Sequence, residues 1–262
     1  RTGEGLHRAV DSSDGRVYLY TQFETADAKR VFACFDQPDI KATYDFKVTT
    51  SAEDVLITNE PVDYFAAEDG TIEHHSSIDY PLSTYLVAFV IGPYAEVTDT
   101  WRGQLSIHPE TPADFAQIEG KEIEIPLAIY TRASIADSLD AERLFTETKQ
   151  GLDFFHRNFG VPYPFTKYDQ VFVPEFNAGA MENPGCIVIR DSYLFRGAVG
   201  RDELLTRANT ISHEMAHMWF GDLVSPQWWD DLWLNESFAE YMAHRCLVEA
   251  TEYTEAWVDS TM

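Results

Sequence analysis

The chain has 262 residues, 45% of them hydrophobic, enough for one large or two ordinary domains with a buried core. Lysine and arginine number 19 against 44 aspartates and glutamates, a formal net charge of −25. So acidic a chain repels phosphate backbones and anionic lipid surfaces, and no apolar run approaches the ~20 residues of a membrane span, so neither nucleic acid nor membrane is expected as a partner.

Read in order, the first part of the chain predicts β structure. Residues 17–23, 44–50, 55–58, 71–75 and 85–91 are short, aromatic and β-branched, and read as strands. Asp14-Gly15, Gln37-Pro38-Asp39 and Asp69-Gly70 supply turns between them. The texture changes near Gly92-Pro93-Tyr94, which predicts a boundary around residues 95–100 and two domains, 1–97 and 98–262. More strands follow up to Tyr130. Residues 141–158 then have a helical period, with Leu144, Phe145, Thr148, Leu152 and Phe155 recurring at three and four. A second helix is predicted from about Arg201 through Phe220, ended by Gly221, and a third near residues 235–250. The connection between them carries Trp228, Trp229 and Trp233, expected beneath it in the core. The start at Arg1, without an initiator methionine, suggests an excised or processed fragment.

Cys34, Cys186 and Cys246 are odd in number and far apart, with no CxxC pair, so buried thiols in a reducing, cytoplasmic setting are expected. His74 and His75 resemble a metal pair, but neighbours on a strand point to opposite faces.

The chemistry concentrates in His213-Glu214-Met215-Ala216-His217, with eighteen residues between His217 and Glu236. Histidines at i and i+4 share one helix face, so both imidazoles reach one metal ion. Zinc takes nitrogen and oxygen ligands, and a catalytic site uses three protein ligands, here His213, His217 and Glu236, beside a water. Glu214 then takes the proton of the zinc-activated water as general base and returns it to the leaving amine. Glu240, one turn after Glu236, is placed either to support a zinc-bound histidine or to make a surface ion pair.

Gly179-Ala180-Met181-Glu182-Asn183 sets small residues beside a carboxylate, suited to an edge strand or loop that a ligand approaches closely. With this GAMEN segment added, the chain resembles the aminopeptidase N family of zinc exopeptidases. The likeness extends to Thr21-Gln22-Phe23-Glu24, Cys34-Phe35-Asp36-Gln37-Pro38 and Pro81-Leu82-Ser83-Thr84-Tyr85-Leu86. It implies an α+β chain: an amino-terminal β-sandwich or saddle-like domain followed by the first part of a thermolysin-like catalytic domain. One zinc ion per chain is implied, on His213, His217 and Glu236, with Glu214 as base. Glu182 and Glu24 match the acids that hold the substrate's free α-amino group, and Gln22 a substrate-contacting amide. Gly179, Ala180, Met181 and Asn183 accompany Glu182 along the peptide, Asn183 shaping the loop rather than doing chemistry. Ala178 stands where some relatives carry a methionine lining the first side-chain pocket, which implies a more open pocket here. The family's oxyanion-stabilising tyrosine lies several tens of residues beyond the third ligand. Only 26 residues follow Glu236, and Tyr241 and Tyr253 are too close to match, so a front portion of weak or no activity is expected. The implied activity is removal of amino-terminal residues from peptides. A related zinc endopeptidase or epoxide hydrolase, and a non-catalytic zinc- and peptide-binding fragment, remain as alternatives.

Overall fold

The computed structural model describes residues 4–259. Its first part is strand: β1 (Gly5–Val10), β2 (Val17–Gln22), β3 (Ala42–Ser51), β4 (Val55–Thr58), β5 (Asp63–Ala66), β6 (Thr71–Leu82) and β7 (Phe89–Gly92). These make two antiparallel sheets, one in the order β1-β2-β7-β4 and one in the order β3-β6-β5. On β6, His74 is buried with Nε2 2.9 Å from Thr50 Oγ1, while His75 faces out beside Glu73, so the histidine pair is split across the sheet as the pleat requires.

The predicted strand over 85–91 forms only in its second half. Residues Thr84–Leu86 are a 3₁₀ turn, and β7 begins at Phe89. The cause is a single distant side chain. Asn59 Nδ2 donates to the Leu86 carbonyl and its Oδ1 accepts the Ala88 N–H, at 2.8 and 2.9 Å, so these backbone groups need no strand partner.

After Pro93 the chain enters a third sheet, built from β8 (Tyr94–Gly103), β9 (Ile123–Arg132), β10 (Tyr168–Val173), β11 (Ala180–Met181) and β12 (Cys186–Arg190). The order is β11-β12-β10-β9-β8, with β10 parallel to both neighbours and β8 and β11 antiparallel at the edges. The expected boundary at 97/98 lies inside β8, and the change of sheet itself comes at Pro93. Among the described residues, five α-helices complete the fold: α1 (Ala113–Ala116), α2 (Ala141–Phe159), α3 (Arg201–His217), α4 (Leu232–Ala250) and α5 (Ala256–Asp259).

The α+β class is as expected, and period-two alternation explains how the parts join. Along β10 and β12, Tyr168, Phe172, Ile187 and Ile189 face a core shared with α2, α3 and α4. Their neighbours Val171, Val173, Cys186 and Val188 face the core of the first sheet, with Tyr18, Tyr20, Phe23 and Val90. One sheet is thus the common wall of two cores. Gly151 lets α2 lie against α3, since a Cβ there would come within 2.8 Å of Met215 Sδ. Arg132 ties the two β regions electrostatically, reaching Asp11 at 2.8 Å and Asp191 at 2.7 Å.

Candidate metal and peptide-amine site

Helix α3 starts at Gly200, whose N–H is accepted by Glu203 Oε2 at 2.6 Å, with Asp202 and Glu203 set against the positive end of the helix. It ends three residues earlier than the sequence suggests, so His217 is its last residue rather than an interior one. The chain then turns through Gly221, whose φ of 132° few side chains tolerate. A Cβ at Gly221 would come within 2.6 Å of Asn235 Oδ1 and 3.1 Å of His217 Nδ1. The turn therefore packs directly on the back of the second histidine.

Helix α4 begins three residues earlier than expected, because the 3₁₀ turn Trp229–Asp231 runs into it without a break. Glu236 consequently sits a full turn inside the helix, where its backbone is fixed. The tryptophans correct another expectation. Trp229 packs edge-on against Tyr85 at 5.3 Å, but Trp228, just before the 3₁₀ turn, and Trp233, in the first turn of α4, are 48% and 65% exposed.

The three expected ligands converge. His213 Nε2 lies 3.0 Å from His217 Nε2 and 3.1 Å from Glu236 Oε2, and His217 Nε2 lies 3.6 Å from that same oxygen. The far nitrogens fix the tautomers. His213 Nδ1 donates to Glu240 Oε2 at 2.9 Å, and His217 Nδ1 to the Phe220 carbonyl and Asn235 Oδ1, each at 3.1 Å. With both Nδ1 atoms carrying hydrogen, the neutral imidazoles point lone pairs at one another and at a carboxylate. Three lone-pair donors about 3.3 Å apart repel unless a cation lies between them, and that spacing is roughly the edge of a tetrahedron with zinc–ligand bonds of ~2.0–2.1 Å. The donor set therefore fits zinc.

A proton can take the place of a metal ion in this arrangement, and the titration behaviour describes that protonated alternative. Burial opposes charge on His213, yet Glu236 and Glu240 push its imidazole up to about 11. Burial likewise opposes charge on His217, and Glu182 and Glu236 raise it to about 9. Glu236, though buried in part, is held far below the usual carboxylate range by hydrogen bonds to both imidazoles.

Glu214 is buried on the inner face of α3. Burial lifts its carboxyl, His213 draws it back and Glu182 adds to the rise, leaving it at about 7. Oxygens of Glu182 and Glu214 and a nitrogen of His217 lie within 4.8 Å of one another, and so do oxygens of Glu24, Glu182 and Glu236. Glu24 Oε1 and Glu182 Oε1 are buried without hydrogen-bond partners. Burial, reinforced by Glu182, pushes Glu24 up to about 9.

Gln22, at the end of β2, donates through Nε2 to Met181 Sδ at 3.3 Å, which joins the first sheet to the GAMEN strand. Within that segment Ala180 and Met181 pair with Ile189 and Val188 of β12, so β11 is an edge strand. The Gly179 carbonyl accepts the Arg190 N–H at 3.0 Å, and the Asn183 carbonyl accepts the Cys186 N–H at 3.0 Å in the turn beyond Glu182. A cleft of about 420 Å³ runs between β11 and the two ligand helices, bringing Glu24, Gly179, Ala180, Glu182, His213, Glu214 and Glu236 together. A larger cavity, about 770 Å³ and lined by Leu56, Tyr94, Leu127 and Lys167 among others, lies elsewhere and contains none of these residues.

Sequence reasoning gave no role to Asn235, although its place just before Glu236 is a signal, or to the Phe220 carbonyl, which carries none. It also passed over Asp222, buried with both oxygens unpartnered and forced well above the usual carboxylate range by burial and by Glu182.

Comparison with known proteins identifies the family. The sequence model for the peptidase family M1 domain matches residues 144–262, and that for the peptidase M1 N-terminal domain matches residues 4–86. The chain is 46% identical over 258 residues to an aminopeptidase N of Streptomyces lividans, covering 98% of this chain and 28% of that protein. It is 35% identical over 236 residues to endoplasmic reticulum aminopeptidase 1 of Rattus norvegicus, 89% of this chain and 23% of that one. A probable aminopeptidase 1 of Sulfurisphaera tokodaii is 34% identical over 237 residues, 90% of this chain and 27% of the relative. The chain thus spans about a quarter of the length of these relatives.

Proposed function

The chain belongs to peptidase family M1, and from that premise we propose that it carries the zinc centre of an aminopeptidase, which removes the first residue of peptides with a free amino terminus. His213, His217 and Glu236 would hold one zinc ion. When bound, zinc polarises the scissile carbonyl and acidifies the attacking water. Everything else falls to the chain's own side chains. Glu214 takes the water's proton and returns it to the leaving nitrogen, and a carboxyl poised at about 7 can do both near neutral pH. Glu24 and Glu182 accept the substrate's ammonium, a charge-assisted contact that satisfies oxygens otherwise without partners. Gln22 and the backbone of residues 179–183 lie alongside the peptide. The domain join, in this reading, is the change of sheet at Pro93. A cytoplasmic setting is supported by the three free thiols. Separately, no helix among the described residues is long and apolar enough to cross a membrane.

One observation carries the reading: Glu236 belongs both to the histidine cluster and to the cluster with Glu24 and Glu182. The amine anchor therefore stands one residue's reach from the metal ligands, and the cut is set by geometry. An endopeptidase or epoxide hydrolase would leave two buried carboxylates facing an uncharged group, a costly arrangement.

Two measurements test this. Zinc analysis should give about one ion per chain, falling sharply in Glu236→Ala, because two ligands hold zinc poorly. Peptides with a free amine should bind and be cleaved far better than their acetylated twins. Equal treatment of the two would sink the exopeptidase reading even if zinc is present.

A further inference from the structure

Resting on the aminopeptidase reading, we infer that the cleft selects the second residue of its substrate, favouring a cationic side chain there through Glu240 and the polar wall formed with Asn209 and Thr210. The direction of the substrate follows from the two clusters. Glu182 clusters with His217 and, together with Glu24, with Glu236, so the amine end lies toward the His217 end of the histidine pair. The departing side of the peptide must then run the other way, past His213.

What stands there is polar and acidic. Asn209 and Thr210 lie four and three residues before His213, one turn back on the same face of α3. Glu240 lies one turn after Glu236 on α4, its side chain 46% exposed. Asn209 Nδ2 donates to both Glu240 oxygens, at 3.1 and 3.3 Å, and His213 Nδ1 donates to Oε2 at 2.9 Å. The carboxylate is thereby fixed in place on the cleft wall, with His244 Nδ1 3.4 Å from Oε1. Thr210 Oγ1 donates to Tyr193 OH at 3.4 Å, and that hydroxyl sits 3.8 Å from where a Cβ on Gly179 would be, which closes the wall onto β11. Among the described residues lining the cleft there is no lysine or arginine to offset Glu240. A charge pair about 5 Å apart in a half-wet cleft corresponds to roughly tenfold in affinity.

The test uses the zinc-loaded chain carrying Glu214→Gln, so that peptides bind without turnover, and measures calorimetric affinities for Leu-Arg, Leu-Leu and Leu-Glu amides. Leu-Arg amide should bind about tenfold more tightly than Leu-Leu amide, and Leu-Glu amide about tenfold more weakly. Adding Glu240→Gln should shrink the Arg-to-Leu ratio below about threefold. Because Glu240 also touches a zinc-binding histidine, Thr210→Lys provides a variant that leaves the ligands alone, and it should reverse the order to favour Leu-Glu amide. Equal binding of the three amides, or an unchanged order in Thr210→Lys, overturns the inference. An acetylated Leu-Arg amide separates the two levels: if it binds as well as the free amine, the amine anchor itself fails. Flat ratios with amine dependence intact remove only the second-residue preference.

Discussion

Two groups of carboxylates meet in the cleft and are treated in opposite ways. Glu236 and Glu240 both face imidazole nitrogens of α3, Glu240 accepting from His213 Nδ1 and Glu236 lying beside both Nε2 atoms. Glu24 and Glu182, within 4.8 Å of Glu236, each keep a buried oxygen with no partner. A completed cluster lacking only a cation among its lone pairs suits a resident metal. An uncompleted one, held beside it, suits a cation that arrives and leaves with each substrate. On the proposed reading, cofactor and substrate are distinguished by how many of each carboxylate's partners the chain supplies itself.

The sharpest way to break that distinction is at the residue between the groups. In a full-length parent protein, Glu214→Gln should leave zinc content unchanged and lower the peptidase rate about 10²–10⁴-fold, since an amide accepts no proton. A rate near that of the parent would remove Glu214 as the base. Next in size, Glu182→Gln should weaken free-amine peptides by about 2–4 kcal/mol and leave acetylated ones nearly unchanged, because it deletes one partner of a buried charge pair. Comparable losses on both peptides would make Glu182 structural.

On the histidine side, Glu240→Gln should reduce zinc affinity about 10–100-fold, the usual effect of removing the group that orients a ligating histidine. Competition with a chelator measures this, and an unchanged affinity would show that His213 is oriented without the Glu240 carboxylate. The smallest effect concerns pH. Burial and Glu182 raise Glu24 to about 9, above its ordinary 4.5. The native state then holds a proton that the unfolded chain has released, so stability contributed by Glu24 falls as pH rises between about 4.5 and 9. Glu24→Gln should flatten that slope in denaturant titrations of the metal-free protein; one pKa unit is ~1.4 kcal/mol, so even part of the shift is measurable. An identical slope in both proteins would count against a strained amine site.

Much of this site is legible in the sequence because it is local. His213 and His217 share a helix face by periodicity alone, and the small residues of 179–183 announce an edge strand that the structure contains. What stays hidden is the work of backbone groups and distant partners. The Phe220 carbonyl that fixes His217 has no side-chain signature. Nor does the strand-like sequence at 85–88 reveal that Asn59 takes its hydrogen bonds. Trp228 and Trp233 look like core residues by type, yet they flank the 3₁₀ turn on its outer side and stay exposed.

The shared wall has a mechanical consequence. Glu24 follows β2 of the first sheet, whereas Glu182 follows β11 of the third, so the proposed amine anchor is assembled across two modules. Swinging them apart would expose Val171, Val173, Cys186 and Val188, all fully buried in the core of the first sheet. Apolar area of that size makes a hinge between them expensive. The gap between the two carboxylates is therefore a rigid gauge, set by the packing of a sheet rather than by the closing of a lid.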